Sequence, residues 1–558
     1  MSGSSKWMMF SLLGVLWCVL YSGACGTPPS VVPEGGHEPT SGTDWIYINK
    51  EKPRDTVSSP DASQDEPESE STQPDKIADT YLPEPVQEEP LPEPEKASLP
   101  EALPEKGEAV IERVPEPDTP VKPRLPTWQD DPCATLSTYK PRYTDLINRW
   151  HKQDQLSAPP KGGLVVTGSS SIRFWRKMML ELTPWKATQR GFGGAYLWDV
   201  LAHSSKLITA HAPRAVLLFA GTNDVAAKMT PQRVLTAYRC LVKKIKDGVG
   251  EIDILFIGIT PTPSRWAGWS KAEQLNASVK TLADKWPGLH YIDIPTAFLK
   301  TGRPPKTSLF VADRLHLNDD GYKLWTSVIK PVLQKAVSIK KYTPPAGQPP
   351  KESRVLVDLG PNNAADGAST KNPDTFGQAW NNWHNLNGGT AILPGEALGL
   401  KTIKGQKTPW RLVVSGMFQC NGIRNGGLQK PDSKKLGTLA VGSATQDYFY
   451  VTKALPSGLA ITGLDPSKNY RLQLFGSRNF AGETRVTRYT LSTGTGSVSK
   501  TLKTTGRGIG SGGAYHGNED ATVTFDKVKP DAWGKLHIEI KAEQGAYGYI
   551  SLLALSVH

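Results

Sequence analysis

Cysteine is scarce in this chain, with five residues among 558. That is too few for a fold held together by disulfides. Cys18 and Cys25 fall in an apolar leader, leaving Cys133, Cys240 and Cys420, so at least one sulfur stays outside any intramolecular bridge. Cys133 and Cys240 are candidates to pair, but the distance between them is not a property of sequence. No spacing resembles a zinc site, and the expectation is no metal and no cofactor. Long apolar runs are also missing: the longest, Trp7 to Tyr21, falls short of the ~20 residues that span a bilayer. Dense basic runs are absent beyond Lys243-Lys244-Ile245-Lys246. With no recognised nucleic-acid motif, that argues against a nucleic-acid partner despite a net charge of +11.

The charge is segregated along the chain. Val31 to Leu125 carries 23 acidic and 9 basic residues, so the remainder is strongly basic, and its scattered Lys and Arg residues read as a solvated surface. Ahead of this stretch, residues 1–24 have the pattern of an export signal. Lys6 precedes the apolar run, and Ser22-Gly23-Ala24 supplies small residues at a cleavage point. A secreted or cell-envelope location follows. Cys25 after Gly-Ala permits a lipid anchor, although Ser22 stands where a lipobox usually has leucine. Residues 25–127, with repeats such as Pro83-Glu84-Pro85 and Pro92-Glu93-Pro94-Glu95, bury too little apolar surface to order and read as a disordered stalk or spacer.

Residues 128–340 alternate in the α/β manner. Strands are expected at 163–167, 187–190, 215–219, 252–257 and 290–294, and helices at 171–182, 196–207, 231–247, 271–286 and 321–335. The alternation implies a parallel sheet between two helical layers, with chemistry at the carboxyl ends of the strands. Beyond a Pro-rich linker, 341–353, helical spacing disappears. Short alternating runs punctuated by Gly, Asn, Asp and Ser over 354–558 predict an all-β sandwich of eight to ten strands. In it Trp380, Trp383 and His384 read either as core or as a sugar-stacking platform. Asn276-Ala277-Ser278 is a glycosylation sequon, relevant to a eukaryotic secretory route.

Four blocks of the α/β region fall just after strands or before the last helix. They are Gly168-Ser169-Ser170-Ser171, Arg190-Gly191-Phe192-Gly193-Gly194, Ala220-Gly221-Thr222-Asn223-Asp224 and Asp313-Arg314-Leu315-His316. Each has a plain structural reading: the serines cap a helix, the glycines and Asn223 make turns, and Asp313–His316 is a surface pair. Together they offer a hydroxyl, backbone and amide donors, an imidazole and a carboxylate, which are the parts that acyl transfer needs.

In this order and with this spacing the blocks resemble the SGNH (GDSL-like) hydrolase superfamily, over roughly Trp150 to Leu333. Trp175, Pro261-Thr262-Pro263-Ser264-Arg265-Trp266 and Leu317-Asn318-Asp319-Asp320-Gly321-Tyr322 extend the likeness. Ser169 replaces the aspartate of the usual Gly-Asp-Ser, as in a Gly-Ser-Ser-Ser-Ile branch. The resemblance implies a three-layer α/β/α, flavodoxin-like domain. It further implies Ser170 as nucleophile, with Ser169 and Ser171 as competitors, His316 as general base and Asp313 as its orienting carboxylate. The oxyanion hole would consist of the Ser170 and Gly194 N–H groups and the Asn223 amide. Arg265 and Trp266 are candidates for substrate contact, and Trp266 and Trp269 read equally as packing. The expected function is an exported serine esterase releasing acetyl groups from carbohydrate, with the sandwich as a polysaccharide tether. A lysophospholipase or thioesterase of the same superfamily is the alternative, and a non-catalytic glycan-binding or adhesive protein is the alternative of another class.

Overall fold

The structure is a computed structural model that describes residues 123–339, 341–386, 390–509 and 514–558. The expected leader, the Cys25 anchor and the Pro/Glu-rich stretch up to residue 122 lie outside the described residues. Five strands form one parallel sheet in the order β2-β1-β3-β4-β5. They are β1 (Leu164–Gly168), β2 (Ala187–Gly191), β3 (Ala215–Phe219), β4 (Asp253–Ile257) and β5 (Leu289–Ile292). Side chains on a strand alternate between faces, and the two cores follow that alternation. Val165, Val216, Leu218, Ile254 and Phe256 pack with helices Pro231–Val249 and Trp269–Lys285. Leu164, Val166, Leu217, Leu255 and Ile257 pack on the other face with helix Asp319–Ala336. This is the expected three-layer α/β/α arrangement. Its strand order reverses beside β1, the switch point where open α/β sheets place their ligands.

One expected helix is broken. In place of a continuous 171–182 helix there are two single turns, Ser170–Arg173 and Met178–Glu181. Tertiary contacts override local propensity here. Trp175 is fully buried, while the neighbouring Arg176 and Lys177 turn outward to Asp319 and Glu539. Helix 196–207 is likewise divided into Leu197–Ala202 and Ser204–Leu207.

The C-terminal sandwich is richer in strands than its sequence pattern suggests. Among the described residues it has fifteen strands in sheets of six, four and five, rather than eight to ten. Some, such as Asn381–Trp383 and Ala391–Ile392, are too short to show an alternation. Gly496–Thr505 is mostly exposed and polar, so no apolar period marks it. The apparent single run 549–556 is divided at Ser551. Tyr547–Ile550 joins the four-stranded sheet and Leu552–Val557 the five-stranded one. Trp380 and Trp383 are 3% and 2% exposed and belong to the core, so they offer no sugar-stacking platform; His384 beside them is half-buried.

Residues of the α/β domain and of the sandwich share one buried seam along the β2 edge. Arg190, 1% exposed, donates to Gly395 O at 2.9 Å and pairs with Asp154 at 2.6 Å. Arg149 Nε stands 2.7 Å from Glu396 Oε1, and Gln153 donates to Ala397 O at 2.7 Å. Gly395 has a φ of +83°, and a Cβ there would lie 1.9 Å from Gln189 O, so the two backbones meet without room for a side chain. The 341–353 segment is pinned as well: Tyr342 donates to Leu464 O and Gln348 to Gly463 O. Cys133 and Cys240 form a disulfide, and Cys420 is buried in the sandwich. Asn276 cannot accept a glycan in this fold, because it is buried and its amide is bonded to Ile259 N and O.

His537 lies in the same seam, 3.1 Å from the Ser415 hydroxyl. Burial holds its imidazole down at about 4. Below the unfolded value of about 6.5 the unfolded chain takes up a proton that the folded chain refuses, so this residue's contribution to stability falls as pH drops from about 6.5 to 4. Buried carboxyls such as Asp224 and Glu396, both pushed up to about 7 by burial, act in the opposite direction. The effect is therefore read as a difference between proteins. Relative to wild type, His537→Gln is expected to gain about 2 kcal/mol between pH 7 and pH 4.5, measured by urea denaturation at each pH.

Candidate active site

At the carboxyl end of β1 the chain must turn sharply beneath β3. Gly168 permits this: its φ is +136°, and a Cβ would lie 1.8 Å from Phe219 O. Ser169 N–H then donates to that same carbonyl at 2.9 Å. Ser169 stands in extended backbone at the N-cap, so Ser170 is the first residue of the short turn Ser170–Arg173. There its N–H has no partner within the turn. Of the three serines, Ser169 and Ser171 are buried, and Ser170 Oγ meets the imidazole: it lies 2.9 Å from His316 Nε2.

The imidazole is fixed from three sides. Asp313 Oδ2 lies 2.6 Å from His316 Nδ1, while Asp313 Oδ1 accepts the N–H groups of Leu315 (2.8 Å) and His316 (2.9 Å). The ring of Phe174 meets the imidazole edge-on at 4.9 Å. Partial burial alone would raise the Asp313 carboxyl, but these N–H groups and the imidazole hold it below its ordinary value, so it stays ionised at neutral pH. The loop itself is anchored through helix Asp319–Ala336. Asn318 caps it at Asp320 N and Gly321 N, both 3.0 Å away, and Tyr322 donates to Ser171 O at 2.7 Å. Trp175 stacks on Tyr322 with ring centres 5.8 Å apart. The aromatic that follows the serine turn thus couples it to the histidine loop.

Asn223, on the turn Thr222–Ala226 after β3, donates one amide hydrogen to Ala195 O at 3.0 Å and keeps a second. It lines an open cleft of about 350 Å³ together with Ser170, Thr222, Thr262, Leu315 and His316. Gly194 is not part of that lining. It has a φ of +70°, and its carbonyl accepts from Arg142 Nη2 at 3.0 Å. Arg265 is exposed and also outside the lining. Trp266 is half-buried against the core, stacked on Trp269 with centres 6.2 Å apart. The structure therefore brings Ser170, Asn223, Asp313 and His316 to one place, and leaves Arg265 and Trp266 beside it.

Several supporting residues escape sequence reasoning. Asp199, fully buried, accepts from Tyr139 Oη at 2.7 Å and from Tyr196 N at 2.9 Å, and pairs with Arg142. Asp224, fully buried, accepts Leu197 N–H at 3.0 and 3.1 Å, and burial pushes its carboxyl up to about 7. Together they pin the Gly194–Leu197 segment opposite the serine. Asp224 was within reach of sequence, since it ends a motif block. Tyr139 and Arg142 lie in a segment with no motif.

A nucleophile-sized hydroxyl, an imidazole and an ionised carboxylate in hydrogen-bonded series, with an amide donor across the cleft, can carry out acyl transfer. Residues 162–324 match the family described as GDSL-like Lipase/Acylhydrolase. That segment, under a third of the chain, is thus similar to GDSL-like acylhydrolases. No curated protein matches the chain. Among solved structures it is similar to a GDSL-like lipase from Bacteroides thetaiotaomicron at 18% identity, covering 34% of this chain and 98% of that one, with a TM-score of 0.31. A lipase/acylhydrolase from Enterococcus faecalis aligns at 17% identity over 31% and 95% of the two chains, with a TM-score of 0.27. A catalytic mutant of an acetylxylan esterase from Geobacillus stearothermophilus aligns at 15% identity over 32% and 95%, also with a TM-score of 0.27.

Proposed function

We propose that the chain is an exported serine esterase that removes small acyl groups, acetyl above all, from carbohydrate. The observation that carries this reading is the continuous Ser170–His316–Asp313 series, at 2.9 and 2.6 Å. Ser170 Oγ attacks the ester carbonyl while His316 Nε2 takes its proton. Asp313 keeps the imidazole in the tautomer with hydrogen on Nδ1 and stabilises the imidazolium that forms. The tetrahedral oxyanion is held by the Ser170 N–H and the Asn223 amide, with the Gly194 N–H as the third donor that the family resemblance implies. His316 then protonates the departing alcohol. Water, deprotonated in turn by His316, attacks the acyl-enzyme and releases the carboxylic acid with Ser170 restored.

The cleft supports a short acyl group. Thr222, Asn223, Thr260 and Thr262 line it with small polar side chains, beside the apolar Phe219, Leu315 and Leu317. The Cys133–Cys240 disulfide accords with an oxidising compartment outside the cytosol, as does the leader-like start of the sequence. Lipidation at Cys25 would give a surface-anchored form of the same enzyme, and the sandwich would bring a polysaccharide to the site. Asn223→Ala is expected to lower kcat about 10²- to 10³-fold with KM little changed, measured with p-nitrophenyl acetate, because the lost donor matters chiefly once the oxyanion forms. The substrate class is tested by acetate release across acetylated xylan, pectin, peptidoglycan and sialosides. Release from at least one polymer is expected. Turnover of p-nitrophenyl acetate with no release from any carbohydrate would reject the carbohydrate assignment and keep the esterase.

A further inference from the structure

Far from the serine in sequence, the sandwich buries two carboxyl groups without supplying enough donors for them. Asp358 lies on strand Arg354–Leu359 and is 3% exposed; Asp447, just ahead of strand Tyr448–Thr452, is 0% exposed. The two side chains are within hydrogen-bonding reach of each other. One oxygen, Asp358 Oδ2, is satisfied by the Thr370 N–H (3.0 Å) and hydroxyl (2.9 Å). Asp358 Oδ1 and both oxygens of Asp447 are buried with no protein donor. Arg424, a guanidinium in this part of the sandwich, is engaged by both oxygens of Asp366, at 2.9 and 2.6 Å.

A fourth buried oxygen without a donor stands on the neighbouring strand. Asn382 stands in parallel register with Asp358 on the neighbouring strand, so the two side chains share a face. Its amide nitrogen donates to Thr370 O at 2.7 Å, the residue that also holds Asp358. Its Oδ1 is buried and, like the others, has no donor. The backbone around Asp447 is bare. A Cβ on Gly360 would lie 2.1 Å from the Asp447 Cγ, and one on Gly367 would lie 2.4 Å from Asp447 Oδ2. Side-chain bulk is thus excluded where the carboxyl is seated.

With both carboxyls ionised these oxygens only accept, and they then call for a positive charge among them. We propose that Asp358, Asp447 and the Asn382 amide oxygen hold a calcium ion, with water and backbone carbonyls completing its shell. Calcium takes six to eight oxygen ligands in flexible geometry, and mixed carboxylate and amide donors are its ordinary set. The ion would join two sheets. Asp358 and Asn382 come from the five-stranded sheet, and Asp447 leads into a strand of the four-stranded one. The competing arrangement is a single proton shared between the two carboxyls.

The test uses the full-length protein stripped with EDTA. Added calcium at a hundredfold excess over its dissociation constant is expected to raise the melting temperature by about 5 °C or more. Gel-filtered protein should retain about one equivalent of calcium by atomic emission. Terbium should bind in its place and luminesce through Tyr448, next to Asp447, and calcium should quench that signal. Asp447→Asn should abolish all three responses. The proposal is overturned if the stripped wild type shows no thermal shift and retains no stoichiometric metal, and equally if Asp447→Asn responds as wild type does. A stripped wild type with no calcium response, together with an asparagine variant that melts as high as it does, would assign the shared proton instead. Should that variant fail to fold, the metal content and thermal shift of the wild type decide alone.

Discussion

Ser170→Ala is expected to lower kcat for p-nitrophenyl acetate at least about 10⁴-fold, with a melting temperature close to that of wild type. The size follows from the arrangement. Once the hydroxyl at 2.9 Å from His316 Nε2 is gone, the imidazole and Asp313 have nothing to activate, and only the oxyanion donors and binding remain. The small effect on stability follows too, because the hydroxyl's bond to His316 is the interaction lost on truncation. Ser169→Ala and Ser171→Ala serve as the internal comparison. Both residues are buried, and it is the Ser170 hydroxyl that bonds His316, so each variant is expected to keep activity within about tenfold of wild type. Turnover by Ser170→Ala at the wild-type rate would sink the nucleophile assignment. A dead Ser171→Ala with an active Ser170→Ala would move it by one residue.

The second large effect is expected far from the chemistry. Arg190→Ala should cost about 3–5 kcal/mol of stability in urea denaturation, because it strips a charge partner from Asp154 and a donor from Gly395 O inside a closed seam. It should also divide one cooperative transition into two, as the hydrolase and sandwich parts unfold separately. Retention of a single transition within 1 kcal/mol of wild type would show that the seam is held by its apolar contacts alone.

Much of this site was legible in the chain because α/β alternation fixes where loops must emerge. Gly168 ends β1, Gly191 ends β2 and Phe219 ends β3, so three blocks recognised as short motifs arrive at one end of one sheet. The histidine block arrives by the same rule, ahead of the last helix. What stayed hidden depends on contacts between segments that carry no local pattern. Tyr139 and Arg142 meet Asp199 across some sixty positions, and nothing near them in sequence announces it. The seam was hidden for the same reason, although one signal was present. Arg190 falls in the expected strand 187–190, where its side chain points into one of the sheet's packed faces or edges, and an arginine is costly to bury without a charge partner. In the sandwich, strands of two or three residues and a polar ten-residue strand lack the period that reveals strands. The broken turn after Ser170 has a different cause: its local helical pattern is real, and burial of Trp175 overrules it.

The seam also changes what the second domain is for. β2 is the outermost strand of its sheet, yet all five of its residues are buried, because sandwich residues from Gly395 onward lie over it. An uncovered outer strand of a parallel sheet is a template on which other chains can align. A catalytic part cut away at the 341–353 segment would present that strand, with Arg190 still paired to Asp154 but without the Gly395 carbonyl. Expressed alone, such a piece is therefore expected to self-associate more than the whole chain does, with the sandwich acting as the cover of that edge.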